Sequence, residues 1–157
     1  MPPLSITFTS STRTDGRQFY LPTEAEWEFA AKGGDLSQGY TYAGSNTIDD
    51  VAVYATGSNY EVSIVKSKSK QPNELGIYDM NGNVWEWCAD YYAAYPTEAQ
   101  SDPQGPSTGD YCIIRGGGTY KYYISITDRG YAYPTSTYSK EYPYSDHGDI
   151  GLRILLK

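Results

Sequence analysis

NELGIYDMNGNVWEWCADYY, residues 73–92, gathers two indoles, a thiol and four acidic side chains around Asn81-Gly82-Asn83. Asn-Gly between apolar runs predicts a tight turn, because both residues accept positive φ at little steric cost. Leu75, Ile77, Tyr78 and Met80 precede the turn, and Val84, Trp85, Glu86 and Trp87 follow it. In a strand, Trp85 and Trp87 share one face and Glu86 takes the other. The two indoles require a core. The carboxylate opposite them requires a cation, a backbone N–H or water. This stretch is expected to nucleate the core.

Outward from it, 157 residues predict one domain. No stretch reads as a transmembrane span or a secretory apolar region. A net charge of −7 without a Lys/Arg cluster argues against a nucleic-acid partner. Lys66, Lys68 and Lys70 alternate with serine and read as a solvated loop or edge strand. Cys88 and Cys112 are too few for a disulfide framework, and with a single histidine a closed zinc site is not expected. Tyrosine is the unusual component, 18 against 3 phenylalanines. It joins a rigid apolar ring to a polar tip, a chemistry suited to binding surfaces.

Toward the N-terminus, Leu4–Thr9 alternates, 14–17 reads as a turn, and Gln18–Leu21 as a returning strand, so residues 1–20 are expected to form a β-hairpin. LPTEAEWEFAAKGG follows. Thr23 and Glu26 make a capping box, Glu24 and Glu26 sit at the positive end of the helix dipole, and Gly33-Gly34 stops the helix. A helix is predicted over about Glu24–Lys32, with Trp27, Ala30 and Ala31 on one face. Short β-like pieces appear at Val51–Tyr54 and Val62–Val65. Ala93–Asp110 reads as a surface loop and Tyr111–Arg115 as a strand. Gly116-Gly117-Gly118 marks a bulge or close backbone approach. Tyr120–Ile126 is another β-like run, Gly130–Asp149 a long polar segment, and Ile150–Leu156 a final apolar strand beside the N-terminal one.

Taken in order, LPTEAEWEFAAKGG, PNELGIYDMNGNVWEWCADYY, IIRGGGTY and GLRI resemble the formylglycine-generating, sulfatase-modifying enzyme family, from about Gly16 to the end of the chain. The resemblance implies an α+β, C-type lectin-like fold with few regular elements and long loops, over one domain, 1–157. Family domains usually carry a longer N-terminal part, so a fragment or shortened form is expected. Family activity oxidises a substrate cysteine with a copper-binding cysteine pair, one member lying shortly after the Arg-Gly-Gly motif. Here Ile124 or Ser125 stands near that place, Cys112 precedes Arg115, and Cys88 lies in the tryptophan run. The soft thiolate pair that would hold Cu(I) is missing, so neither copper nor enzymatic activity is expected.

The same fold serves the variable proteins of diversity-generating retroelements, in which adenine-directed mutagenesis rewrites codons near the C-terminus. Such templates favour Asn codons, whose adenine changes give Tyr, Ser, Asp, His, Gly, Thr, Ile and Ala. Residues 119–149 are built largely from that set, and asparagine, present five times up to Asn83, never recurs after it. The resemblance therefore implies a hypervariable, non-catalytic binding segment. Its expected contact residues are Tyr120, Tyr122, Tyr123, Asp128, Tyr131, Tyr133, Ser136, Tyr138, Tyr142, Tyr144, Asp146 and His147. The expected partner is a protein or cell-surface receptor, without nucleic-acid binding or membrane insertion, and the expected location is a cell surface or virion. The alternatives are a fixed structural or adhesion domain of the same family, in a phage tail or surface protein, and, ranked lower, an oxidase.

The resemblance also implies a structural calcium site at Asp79, Gly82, Val84 and Glu86, an oxygen-only set around a tight turn. The competing reading gives Glu86 to backbone N–H groups of the turn. Arg129 and Arg153 are expected to be structural. His147, the lone histidine, is expected to be a surface or contact residue.

Overall fold

The computed structural model describes residues 15–54, 70–119, 124–134 and 150–156. Its elements, in chain order, are β1 (Phe19–Tyr20), α1 (Glu24–Ala31), a 3-10 turn (Gly34–Leu36), α2 (Ile48–Val51), β2 (Trp85–Tyr91), β3 (Cys112–Arg115), β4 (Arg129–Ala132), β5 (Ile150–Leu152) and β6 (Leu155–Leu156). One sheet runs β4-β3-β2-β5, and β1 pairs with β6. The β2–β3 and β3–β4 pairs are antiparallel, whereas β5 joins β2 in parallel.

The helix forms where the capping box predicts. Thr23 Oγ1 accepts the Glu26 N–H at 3.1 Å, and Glu26 Oε2 accepts the Thr23 N–H at 2.9 Å. Gly33, at φ 91°, turns the chain out of the helix. Asn73 closes the other end, its amide donating to Ala30 O and its carbonyl accepting the N–H groups of Leu75 and Ile77. One side chain thus adds a second donor to the Ala30 carbonyl at the helix end, which already accepts the Gly33 N–H, and folds the segment leading to β2.

Alternation along β2 and β3 creates two apolar layers. Trp85 and Trp87 lie on one face with Ile114 and Ala132, flanked by Leu21, Cys112 and Ile150. Cys88 and Ile113 face the other way and pack with Trp27 and Ala31 of α1, and with Met80 and Ile126. The three tryptophans therefore build two cores on opposite faces of one sheet.

The turn before β2 differs in register from the sequence expectation. Positive φ falls on Gly82 (72°) and Asn83 (67°), not on Asn81. Asn81 is instead fully buried, its carbonyl accepting the Ala43 N–H at 2.6 Å and its amide donating to Ile124 O. Gly82 N–H donates to Gly116 O and Asn83 N–H to Val53 O, so the turn is clamped between two distant backbones.

Three other expectations change. Val51–Tyr54 is not a strand: Asp49 and Asp50 occupy the first turn of α2, and only Val53 makes a bridge, to Gly82. Residues 124–126 are not strand either, because Ser125 turns back on Asp128 while Ile124 and Ile126 are buried one by one. The strand in this region is β4, three residues later. The final strand breaks after Leu152 into β5 and β6, which serve different partners. The expected strands at Leu4–Thr9 and Val62–Val65 lie outside the described residues. No helix among the described residues is long and apolar enough to cross a membrane.

A Cβ on Gly82 would stand 2.2 Å from Val53 O, at a backbone angle that already disfavours any side chain. Gly82→Ala is expected to cost about 3 kcal/mol, from strain and overpacking together. Thr23→Ala removes only a cap and should cost about 1 kcal/mol. Urea denaturation of the two variants checks this order.

Candidate functional site

Glu24 stands at the first position of α1, where the Asp90 carboxylate accepts its backbone N–H at 2.7 Å. Its side chain receives two guanidinium groups. Arg115 Nη1 approaches Oε1 at 3.2 Å, and Arg129 grips both oxygens, Nε to Oε1 at 2.7 Å and Nη2 to Oε2 at 2.8 Å. Arg115 is wholly buried at the end of β3. It also donates to Glu28 at 2.5 Å and to Ile126 O at 2.7 Å, and stacks on Trp27 with its guanidinium 5.2 Å from the ring. The β3–β4 register places Arg115 opposite Arg129. Two like charges side by side require the carboxylates of α1 between them.

Burial acts to raise the Glu28 carboxyl, but the Lys32 ammonium and the Arg115 guanidinium outweigh it and hold the group below its ordinary range.

Arg129 is also where the aromatic surface begins. Its guanidinium lies 4.8 Å from the Tyr92 ring and 4.2 Å from the Tyr95 ring, and Nη1 donates to Ala93 O at 2.6 Å. Along β4, Arg129, Tyr131 and Tyr133 share one face, while Gly130 and Ala132 are buried on the other. The Tyr131 ring packs on Tyr92 at 4.5 Å and edge-on to Tyr111 at 5.2 Å. Tyr111 reaches Tyr133 at 4.5 Å, and its hydroxyl donates to the Tyr133 hydroxyl at 2.9 Å. The rings form one row: Tyr95, Arg129, Tyr92, Tyr131, Tyr111, Tyr133. Tyr133, Tyr92 and Tyr95 are 49%, 39% and 61% exposed, so the row faces solvent rather than a core.

Of the expected contact residues, Tyr131 and Tyr133 join this row. Asp128 does not, since its carboxylate accepts the Ser125 N–H at 2.8 Å and closes a turn. Tyr120, Tyr122, Tyr123, Ser136, Tyr138, Tyr142, Tyr144, Asp146 and His147 lie outside the described residues. Tyr92, Tyr95 and Tyr111 escaped sequence reasoning because they come from the end of β2, the following loop and the approach to β3. The available signal was the Tyr91-Tyr92 pair and Tyr111 flanking a loop whose ends must meet across the β2–β3 pair.

At the proposed calcium set, Glu86 Oε2 accepts Trp27 Nε1–H at 2.7 Å and Arg153 Nε–H at 2.9 Å, and Oε1 accepts Arg153 Nη2–H at 2.7 Å. Arg153 Nη2 also donates to the carbonyls of Tyr78 and Asp79. The guanidinium thus occupies the carboxylate that a metal would need, and a second cation there would meet its charge. The arrangement of Asp79, Gly82, Val84 and Glu86 fits an arginine, not a metal ion, and no role is derived through calcium.

Cys88 and Cys112 are free thiols on opposite faces of the sheet, one in each apolar layer. Burial raises both thiols, Cys88 well above its ordinary value.

Residues 7–157 match the model of the sulfatase-modifying factor enzyme 1-like domain. The chain belongs to this family. It is 35% identical over 160 residues to a formylglycine-generating enzyme of Streptomyces coelicolor, covering 92% of this chain and 48% of that protein. Among solved structures, Treponema denticola variable protein 1 superposes with a TM-score of 0.71 at 34% identity, over 90% of this chain and 49% of the other. PvdO from Pseudomonas aeruginosa superposes with a TM-score of 0.61 at 26% identity, over 88% and 52%. The chain spans about half the length of these relatives. The fold is the family's α+β, C-type lectin-like one, with few helices.

Arg115→Ala would leave Glu28 short of a buried cation and is expected to cost about 3–5 kcal/mol in urea denaturation. Glu28→Gln should cost about 1–2 kcal/mol at pH 7. A carboxyl held low in the folded state stabilises fully above its unfolded value, near about 4.3, and that stability is lost as pH falls through the folded value. The difference between wild type and Glu28→Gln should therefore shrink when the melts are repeated toward acid pH.

Proposed function

We propose that the chain is a non-catalytic recognition domain, a variable protein of a diversity-generating retroelement, that presents a tyrosine-built face to a protein or cell-surface receptor. The observation that carries this reading is the solvent-facing ring row, because it joins Tyr131 and Tyr133 of the adenine-patterned segment to a rigid base. Tyrosine supplies large contact area with few torsions to freeze, so rings already ordered by neighbours lose little entropy on binding. The likeness to Treponema denticola variable protein 1 over nine-tenths of the chain supports the same reading. Work at a cell or virion surface follows from it.

The thiols support the non-catalytic half of the proposal. An oxidase of this family type needs two thiolates converging on one copper ion, a soft pair. Here the two cysteines face opposite sides of a sheet, and burial keeps each protonated. The test is to load the purified protein with copper, incubate it aerobically with a cysteine-containing sulfatase-type peptide, and follow the peptide by mass spectrometry. The expected result is an unchanged peptide mass. Conversion to formylglycine would overturn the proposal.

A further inference from the structure

At the Tyr95–Arg129 end of the ring row, between α1 and the loop that follows β2, lies a cleft of about 900 Å³. Its walls are apolar and include Ala25, Phe29, Tyr95 and Pro103. Phe29 and Tyr95 are 56% and 61% exposed, so these walls are largely uncovered among the described residues. The floor carries charge. Lys32 and Arg129, the cations lining it, are already committed to Glu28 and Glu24. Asp90 is 96% buried, accepts the Glu24 N–H on one oxygen, and makes no direct ion pair among the described residues, the Arg129 charge acting on it only from beyond contact. Gly105 allows the loop to lie over it, since a Cβ there would sit 3.0 Å from Asp90 Oδ1 at φ 65°. Burial raises the Asp90 carboxyl above its ordinary value and the Glu24 charge adds to the rise, with the Glu24 and Asp90 backbone N–H groups and the Arg129 charge opposing it. A buried carboxylate short of a counter-ion is costly to hold, and a cation delivered from outside relieves that cost.

We propose that this cleft is a second binding site, for an alkylammonium group: the lysine side chain of a protein partner, or a free aliphatic amine. The ammonium takes Asp90 as its counter-ion, and the methylene stem lies against Phe29 and Tyr95. An anion is disfavoured because both lining cations are already paired. The volume is in the usual range for ligand sites and leaves room for backbone on either side of the side chain. The site does not depend on variation in the C-terminal segment or on the tyrosine row acting as a receptor face.

The experiment is an NMR titration of the ¹⁵N-labelled full chain with three probes: N-acetyl-lysine-N-methylamide, the same compound acetylated on its ε-amine, and butylammonium. Both cations should shift amides of residues 24–32 and 93–105, and the neutral probe should bind at least about tenfold more weakly. Asp90→Asn keeps an oxygen for the Glu24 N–H, so its melting temperature should be retained while cation affinity falls about tenfold. Tighter binding of blocked lysine than of butylammonium assigns the site to a protein side chain, and equal binding to a free amine. No shift, equal binding of the neutral probe, or unchanged binding by Asp90→Asn would overturn the proposal. Tyr131→Ala should leave the titration unchanged, so failure of the cleft would leave the reading of the ring row standing.

Discussion

The carboxylate of Glu24 is the constraint on which the rest of the structure depends. It is buried at the first turn of α1 between guanidinium groups from two adjacent strands. Arg129 has no second carboxylate among the described residues, whereas Arg115 also holds Glu28 at 2.5 Å. Arg115 is wholly enclosed, with its Nε lacking a hydrogen-bond partner, and Arg129 spends its planar fork on both Glu24 oxygens. Removing Glu24 would leave Arg129 without its carboxylate and Arg115 with Glu28 alone, so one buried side chain ties the helix to both β3 and β4. A second ion pair repeats the device: Glu86 joins the Trp27 indole to Arg153 of the last described segment. The two polar clusters lie on the α1 side of the sheet, and each touches Trp27, by cation–π stacking in one case and by hydrogen bonding in the other.

From that base the proposed recognition face is built. Arg129 points one way into the ion cluster and the other way between two tyrosine rings. The position of the aromatic row is therefore set by the same contact that fixes β4 on the helix. The rings of Tyr131 and Tyr133 have supports, Tyr92 and Tyr111, that lie outside the adenine-patterned segment. This division suits a face in which some side chains are rewritten while their seats are retained. Ordered aromatic rings also tend to dominate contact energy at protein interfaces.

Much of this was legible in the sequence, because local rules and tertiary needs agreed there. The capping box at Thr23 and Glu26 and the glycine stop gave α1, and the Trp-Glu-Trp alternation gave β2 and the burial of both indoles. The motif resemblance gave the family and the fold. Other features were hidden for physical reasons. Glu24 reads locally as a helix-dipole residue, and nothing in sequence reveals that its partners are 91 and 105 residues away. Arg115 sits in an apolar strand beside three glycines, where its burial depends wholly on those partners. β4, with the sequence Arg-Gly-Tyr-Ala, has weak strand propensity and forms because Gly130 lets Ile114 and Trp85 pack closely against the backbone. The Val51–Tyr54 run was too short for periodicity to separate helix from strand. Glu86 needed a cation, a backbone N–H or water, as the sequence implied, and Arg153, 67 residues on, together with the Trp27 N–H meets that need.

The central claim is that this fold carries a face rewritten by directed mutagenesis. The most direct measurement is to sequence the genomic DNA around the gene. The account predicts a reverse transcriptase and a near-copy of the codons for about residues 119–157, differing from the gene only at adenines. Codons for Tyr131 and Tyr133 should be among the differences, and those for Tyr92, Tyr95 and Tyr111 should lie outside the copy. A locus with no such copy would contradict the variable-protein account.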